Sequence, residues 1–282
     1  MTLLAENRYG KSRVRLVRLN RQSPNHEFQE WTVEVLLQGD FLMCFTEGDN
    51  SKILPTDTMK NTVYSLARKS AATCVEEFSK ELIAHLLSNN PQVSGAEVTI
   101  FEKSWQQLTT NGRPHPSTFV QAGSELQTTH VTQKRGEQFH IQSGIADLVI
   151  MKTAASAFEG YIHDPLTTLP ETSDRLFGTS LRATWNYTSA DLPFGSARNA
   201  IREALLSTFA AHDSKSVQHT LYAMAECALA ASPQISEITL AMPNKHCLLV
   251  DLSRFGQDNP NHIFVPTEEP HGSIEARVLR GN

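Results

Sequence analysis

The sequence predicts an α+β protein in which an antiparallel sheet carries helices packed on one face, and in which that plan is written twice. Three observations carry the prediction. Strand-like alternation comes in adjoining pairs, which favours hairpins over parallel crossovers. Helical periodicity falls in two blocks, one in each half of the chain. Similar segments also recur in order: TVYSLA (62–67) with TLYAMA (220–225), and PQVSGAEVTI (91–100) with PQISEITL (233–240).

Taken in chain order, residues 12–20 alternate Val14, Leu16 and Leu19 loosely with charge and read as a strand, and residues 31–45 read as its hairpin partner. Residues 61–89 place Val63, Leu66, Ala67, Val75, Phe78, Leu82 and Leu86 at helical spacing, which predicts one long amphipathic helix. Thr56 and Asp57 stand after Pro55 just before it, where their side chains are suited to accept hydrogen bonds from a first helical turn. Strands are predicted at 97–108 and 118–133, then at 139–152 and 180–189. Helices follow at 195–211 and 216–231, and strands at 237–242 and 247–252. The tail from 259 is rich in Pro, Asn and charge, and is expected to wrap a surface before fraying. The two copies divide in the polar stretch QKRGEQ, giving domains 1–136 and 137–282. A sheet covered on one side leaves edges and a face for another chain, so an oligomer is expected.

Composition narrows the function classes. The 282 residues, 40% hydrophobic, are enough for two domains with their own cores. With 25 Lys+Arg against 30 Asp+Glu the net charge is −5 and no basic stripe is present, so nucleic acid is not an expected partner. No apolar run reaches the roughly 18 residues of a membrane span, and residues 1–11 lack the pattern of a signal peptide. Cys44, Cys74, Cys227 and Cys247 are scattered, which suggests buried small hydrophobes rather than a disulfide framework or a zinc ribbon. The 11 His form no metal-binding pattern, and no phosphate loop or nucleophile elbow is found.

The chemistry-bearing candidates are few. Residues 148–185 leave a strand, pass Phe158 and Tyr161 in AFEGY, and reach Arg175 in ETSDR. Phe can stack on an aromatic ring and Arg can grip a planar anion with two prongs, although an aromatic in the core and a solvated Arg are the commoner situations. In MPNKH, Asn244 and His246 alternate along a strand and share a face, and an amide beside a His suits a proton relay. Gln218 in SVQHTLY stands at the start of the last helix, and the unpaired amides of a helix start suit an electron-rich ligand. Lys11 follows Gly10 in YGK and is a candidate base, with a surface Lys as the plainer alternative.

At these residues the sequence resembles the urate oxidase (uricase) family of cofactor-free tunnelling-fold enzymes. The resembling segments are YGKSRVRL, LPTDTMKNTVY, FVQAGSELQTTHV, LVIMKTAASAFEGYIHDPLTTLPETSDR, SVQHTLYAMAE and MPNKH, which run from residue 9 to residue 246 in the family's order. The resemblance implies two tandem tunnelling-fold domains per chain and a homotetramer with its active sites at subunit interfaces. It implies oxidation of urate by dioxygen and water to 5-hydroxyisourate and hydrogen peroxide, with no metal or organic cofactor. Phe158 would then stack on the purine, Arg175 and Gln218 would clamp its edge, and Val217 would offer a backbone amide. Thr56 and Asp57 would reach in from a neighbouring subunit. Lys11, Thr56 and His246 would form the proton relay, and Asn244 would seat dioxygen or water above the ring. The chain ends VLRGN rather than in a peroxisomal Ser-Lys-Leu signal, so residence in the cytoplasm is expected. A zinc-dependent tunnelling-fold relative would need ligand spacings that these His and Cys residues do not offer. A purine-binding oligomer without turnover would need Phe158 and Arg175 but neither Lys11 nor His246.

Overall fold

A computed structural model describes residues 2–281. The chain forms two compact units, one comprising the residues up to Gly144 with Asn186–Gly195, the other Ile145–Trp185 with the residues from Ser196 on. The fold is α+β, and every strand pairing for which a register is resolved is antiparallel. Among the described residues no helix is long and apolar enough to cross a membrane.

In the first unit, β1 (Tyr9–Asn20), β2 (Glu27–Gly39), β3 (Val93–Thr110) and β4 (Arg113–Lys134) lie side by side in that order. Trp31, Val33, Val35 and Leu37, every second residue of β2, are fully buried, as the two-residue period of a one-sided sheet requires. They meet helix α3 (Val75–Asn89), whose Val75, Phe78, Leu82, Ile83 and Leu86 recur at helical spacing and are likewise buried. Helix α2 (Thr56–Lys69) adds Met59 and Val63 to the same core.

The second unit repeats the plan. Strands β5 (His140–Lys152), β6 (Phe177–Tyr187), β7 (Ile235–Ala241) and β10 (Glu275–Leu279) are successive neighbours, and helices α4 (Phe194–Ala211) and α5 (Val217–Ala231) supply buried Ile201, Leu205, Phe209, Leu221, Met224 and Ala228. Strand β8 (Asn244–Leu249) pairs with β6 and with β9 (Phe264–Thr267).

Five expectations change. The single helix over 61–89 is two helices, because the chain turns extended at Ser70 (φ −63, ψ 137) before α3 begins. The Arg18 guanidinium donates to the carbonyls of Ser70 and Ala72, and the Thr73 amide donates to Glu77 over 3.0 Å, so the break has its own partners. The strand over 31–45 stops at Gly39, and Leu42–Glu47 is a short helix, α1, with Leu42, Met43 and Phe45 about half exposed. Thr56 and Asp57 are the first two residues of α2 rather than its cap: Pro55 holds the cap position, and neither side chain caps the turn. Cys227 is exposed and the other three cysteines are half-buried, so they are not all core residues. Burial beside Glu76 pushes the Cys74 thiol up to about 12.

The tail, expected to wrap a surface before fraying at its end, supplies β9 and β10 instead, and its end reveals the repeat more sharply than the sequence does. Arg135, just after β4, donates to the carbonyls of Leu87, Asn90 and Val93 at the end of α3. Arg280, just after β10, donates to Leu229, Ser232 and Ile235 at the end of α5. The amides match too, Arg135 to Ser94 and Arg280 to Ser236. Strand β10 is thus the counterpart of β4, and α5 the counterpart of α3. The PQV/PQI match obeys this order. The TVYSLA/TLYAMA match does not, since it sets the first long helix of one half against the second of the other. Each guanidinium satisfies carbonyls that a helix end leaves without partners. Arg280→Ala and Arg135→Ala should each cost about 2 kcal/mol and lower Tm by roughly 5 °C in a thermal melt, with Lys only partly restoring it.

Candidate active site

In the second unit three segments are stitched into one platform. The Ser214 amide donates to Ala155 over 3.0 Å, and the Ala157 amide donates to the Ser214 carbonyl over 2.8 Å. The Arg175 amide donates to the Ser156 carbonyl over 2.8 Å, while the Ser156 amide reaches the Asp174 carboxylate at 3.2 Å. Phe158 and Thr172 exchange both backbone bonds. Phe158, Arg175 and the approach to α5 are therefore fixed relative to one another by backbone alone. Their side chains meet as well: the Arg175 guanidinium carbon lies 5.0 Å from the centre of the Phe158 ring.

Arg175 carries a cost. Burial lowers its pKa from the ordinary value, and its Nε is buried with no hydrogen-bond partner among the described residues. A half-buried guanidinium with an unsatisfied donor beside an aromatic face suits a flat anion.

Helix α5 begins where the platform ends. Ser216 caps it by accepting from the His219 amide over 3.1 Å, and the Ser214 hydroxyl donates to the Ser216 carbonyl. By helix geometry the amides of Val217 and Gln218 have no intrahelical acceptor. Val217 is buried and the Gln218 side chain is exposed. Behind them His212 shares a hydrogen bond of 3.1 Å with the Thr220 hydroxyl, and burial, with His219 and Lys152 nearby, holds its pKa below the usual imidazole value.

Asn244 and His246 sit two apart on β8 and so share a face. Asn244 lies opposite Thr179 of β6, a fully buried residue whose hydroxyl has no partner among the described residues, and the Asn244 backbone amide donates to the Gly272 carbonyl over 2.9 Å. His246 lies opposite Thr267. Among the described residues neither forms a hydrogen bond with Phe158 or Arg175.

The first unit holds Lys11, Thr56 and Asp57. Lys11 is half-buried at the point where the β1–β2 register breaks, between Lys11 and Val14, with Arg13 at φ 58. Bulges of this kind re-aim a side chain out of a regular ladder. Gly10 permits the close pairing beside it, since a Cβ there would fall 1.8 Å from the Val35 carbonyl oxygen. The Tyr9 hydroxyl donates to the Leu54 carbonyl at 3.1 Å and accepts from the Leu54 amide at 2.8 Å, which ties the entry to α2 onto β1. Asp57 is held below the usual carboxylate range mainly by its hydrogen bond from Lys60, with Asn61 and the charge of Lys11 assisting. Lys11 and Asp57 are thus electrostatic neighbours, though among the described residues no hydrogen bond joins Lys11 to Thr56.

Tyr9, Ser156, Asp174 and Ser214 escape a sequence reading, because each acts through backbone atoms or a distant partner. The ETSDR string offered the only local hint, in an Asp directly before the Arg.

The uricase family model matches residues 7–132 and 141–275. The chain belongs to the uricase family. It is 38% identical to the uricase of Arthrobacter globiformis over 278 residues, covering 99% of this chain and 90% of that one. It is 38% identical to the uricase of Dictyostelium discoideum over 286 residues, covering 100% and 99%. The crystal structure of the Arthrobacter globiformis uricase superposes with a TM-score of 0.93 at 37% identity, over 99% of this chain and 96% of that chain. The urate oxidase of Bacillus sp. TB-90, at 24% identity and a TM-score of 0.86, covers 98% of this chain and 100% of its own and shares the fold. The two matched uricase segments leave 133–140 between them.

Proposed function

We propose that this chain is a urate oxidase that converts urate, dioxygen and water to 5-hydroxyisourate and hydrogen peroxide without metal or organic cofactor. The observation that carries the reading is the full-length uricase likeness coinciding with a guanidinium held against a half-buried aromatic, Arg175 on Phe158. The reaction balances with no further reagent: urate gives up two electrons, dioxygen takes them with two protons to become peroxide, and the hydroxyl of water joins the oxidised ring.

In this reading Phe158 stacks on the purine, Arg175 and Gln218 clamp its edge, and the Val217 amide contacts it. A ring gripped in this way presents one face to dioxygen and lowers the entropic cost of their meeting. Asn244 seats dioxygen or water above that face. Lys11, Thr56 and His246 move the protons. We further propose a homotetramer of two tandem tunnelling-fold domains per chain, 1–136 and 137–282, a division supported by the gap between the matched segments. Thr56 and Asp57 of one subunit then reach the Phe158 of another. The Tyr9–Leu54 hydrogen bonds, which tie the entry to α2 onto β1, support delivery of Lys11 by the same subunit.

Protein dialysed against a strong chelator and mixed with urate in air should consume urate and dioxygen and release peroxide in equal amounts. Urate loss without peroxide, or activity that returns only on adding a metal, would overturn the cofactor-free mechanism.

A further inference from the structure

Phe158 does not stand alone. Tyr161 lies on it with ring centroids 4.7 Å apart and planes 17° from parallel, and His163 stacks on Tyr161 at 4.9 Å and 22°. An offset parallel stack of this kind covers one face of the Phe158 ring. Gly160 makes the superposition possible: at φ 70 the chain takes a left-handed turn that glycine adopts without strain, which folds Tyr161 back over Phe158.

The stack is braced from outside. The Tyr161 hydroxyl donates to the Leu169 carbonyl, and the Gly160 amide donates to a Glu171 carboxylate oxygen over 2.9 Å. The same oxygen lies 3.3 Å from His163 Nε2. At its base the excursion is closed by the paired backbone bonds of Phe158 and Thr172. Core packing does not account for this arrangement, since Phe158 and Tyr161 are only half-buried and the neighbouring Ile162 and Leu166 are 91% and 87% exposed. The bracing converges on one ring, and on one face of it.

We propose that Tyr161 is a positioning residue for substrate, which backs Phe158 and fixes the plane on which a flat anionic purine is laid. The inference rests on the urate oxidase reading and extends it. Phe158 has two side-chain torsions to order, and a ring already locked by its neighbour spares the ligand that ordering. Tyr161 itself touches no reacting atom, so its loss should weaken binding more than it slows chemistry.

The test uses the assembled protein with two variants, Tyr161→Leu and Tyr161→Phe, and two readouts. One is the 19F signal of Phe158 in protein grown with 4-fluorophenylalanine, assigned with Phe158→Leu. The other is the Kd for urate under nitrogen, set beside kcat and KM in air. Tyr161→Leu should shift the fluorine signal away from its stacked position and raise Kd and KM roughly five- to tenfold, with kcat within about twofold. Tyr161→Phe should keep both readouts near wild type. A fluorine signal or a urate Kd unmoved by Tyr161→Leu overturns the proposal. So does an equal loss in both variants, which would place the effect in the hydroxyl bond to Leu169. Wild-type protein that shows the stacked signal yet ignores urate would overturn the urate oxidase reading instead, and leave the stack as architecture.

Discussion

Lys11→Met is expected to lower kcat for urate by roughly 10²–10⁴-fold, the usual weight of a general acid–base group, while anaerobic urate affinity stays within about threefold of wild type. Methionine keeps most of the volume of the Lys stem, so β1 and its bulge should survive the change. What disappears is the ammonium, and with it the first member of the proposed relay. An equal loss of affinity and turnover would make Lys11 a binding residue and contradict its assigned role.

The same variant tests the assembly. If one subunit brings Lys11, Thr56 and Asp57 to the Phe158 and Arg175 of another, slow Lys11→Met chains co-expressed with weakly binding Arg175→Ala chains, assayed at urate well below the raised KM, should form some sites with both halves intact. Random pairing would restore about a quarter of the sites. Absence of any recovery in verified mixed tetramers would mean that Lys11 and Arg175 serve a site from one and the same chain.

The sequence disclosed most of this fold because one-sided sheets and helices announce themselves by period. Alternation in β2 and the helical spacing of Val75, Phe78, Leu82 and Leu86 mark the core correctly. The same periodicity hid the break at Ser70, since Ala67 and Val75 keep to one helical face across it. A local signal was available in Thr73 ahead of Glu76 and Glu77, the pattern of a new helix start, and the longer apolar rhythm overrode it. FLMCF reads as strand by composition, yet Phe41 is its buried residue, edge-on to Tyr9 at 4.8 Å, while Leu42, Met43 and Phe45 turn outward. For the tail, charge and proline suggested fraying, whereas pairing of β10 with β7 and the Arg280 clamp hold it. Long-range partners of this kind leave no trace in local composition. The candidate site divides along the same line: Phe158, Arg175 and Lys11 were visible as residue types, whereas Ser214 and Tyr9, which hold segments in place, were not.

Arg175→Ala should raise the Kd and KM for urate by roughly 10²-fold, about 3 kcal/mol, as for loss of a charge-assisted contact in a partly dry site. Its effect on stability should run the other way from that of an ordinary buried residue. Among the described residues the Arg175 Nε has no acceptor and burial already disfavours its charge, so truncation removes an unsatisfied donor as well as a contact with Phe158. A cation over an aromatic ring is worth about 0.5–1 kcal/mol at a partly exposed site, and an unsatisfied buried donor costs about 1–3 kcal/mol. The two nearly cancel, or favour the variant, and Tm should stay the same or rise by a few degrees. Arg175→Lys should not rescue binding, because a single ammonium cannot reproduce a planar two-pronged grip. The combination to look for is weak urate binding in a protein at least as stable as wild type. A large drop in Tm with unchanged urate affinity would instead make Arg175 a structural strut of the platform, tied to Ser156 through its amide and to Phe158 through its side chain, and would remove it from the substrate site.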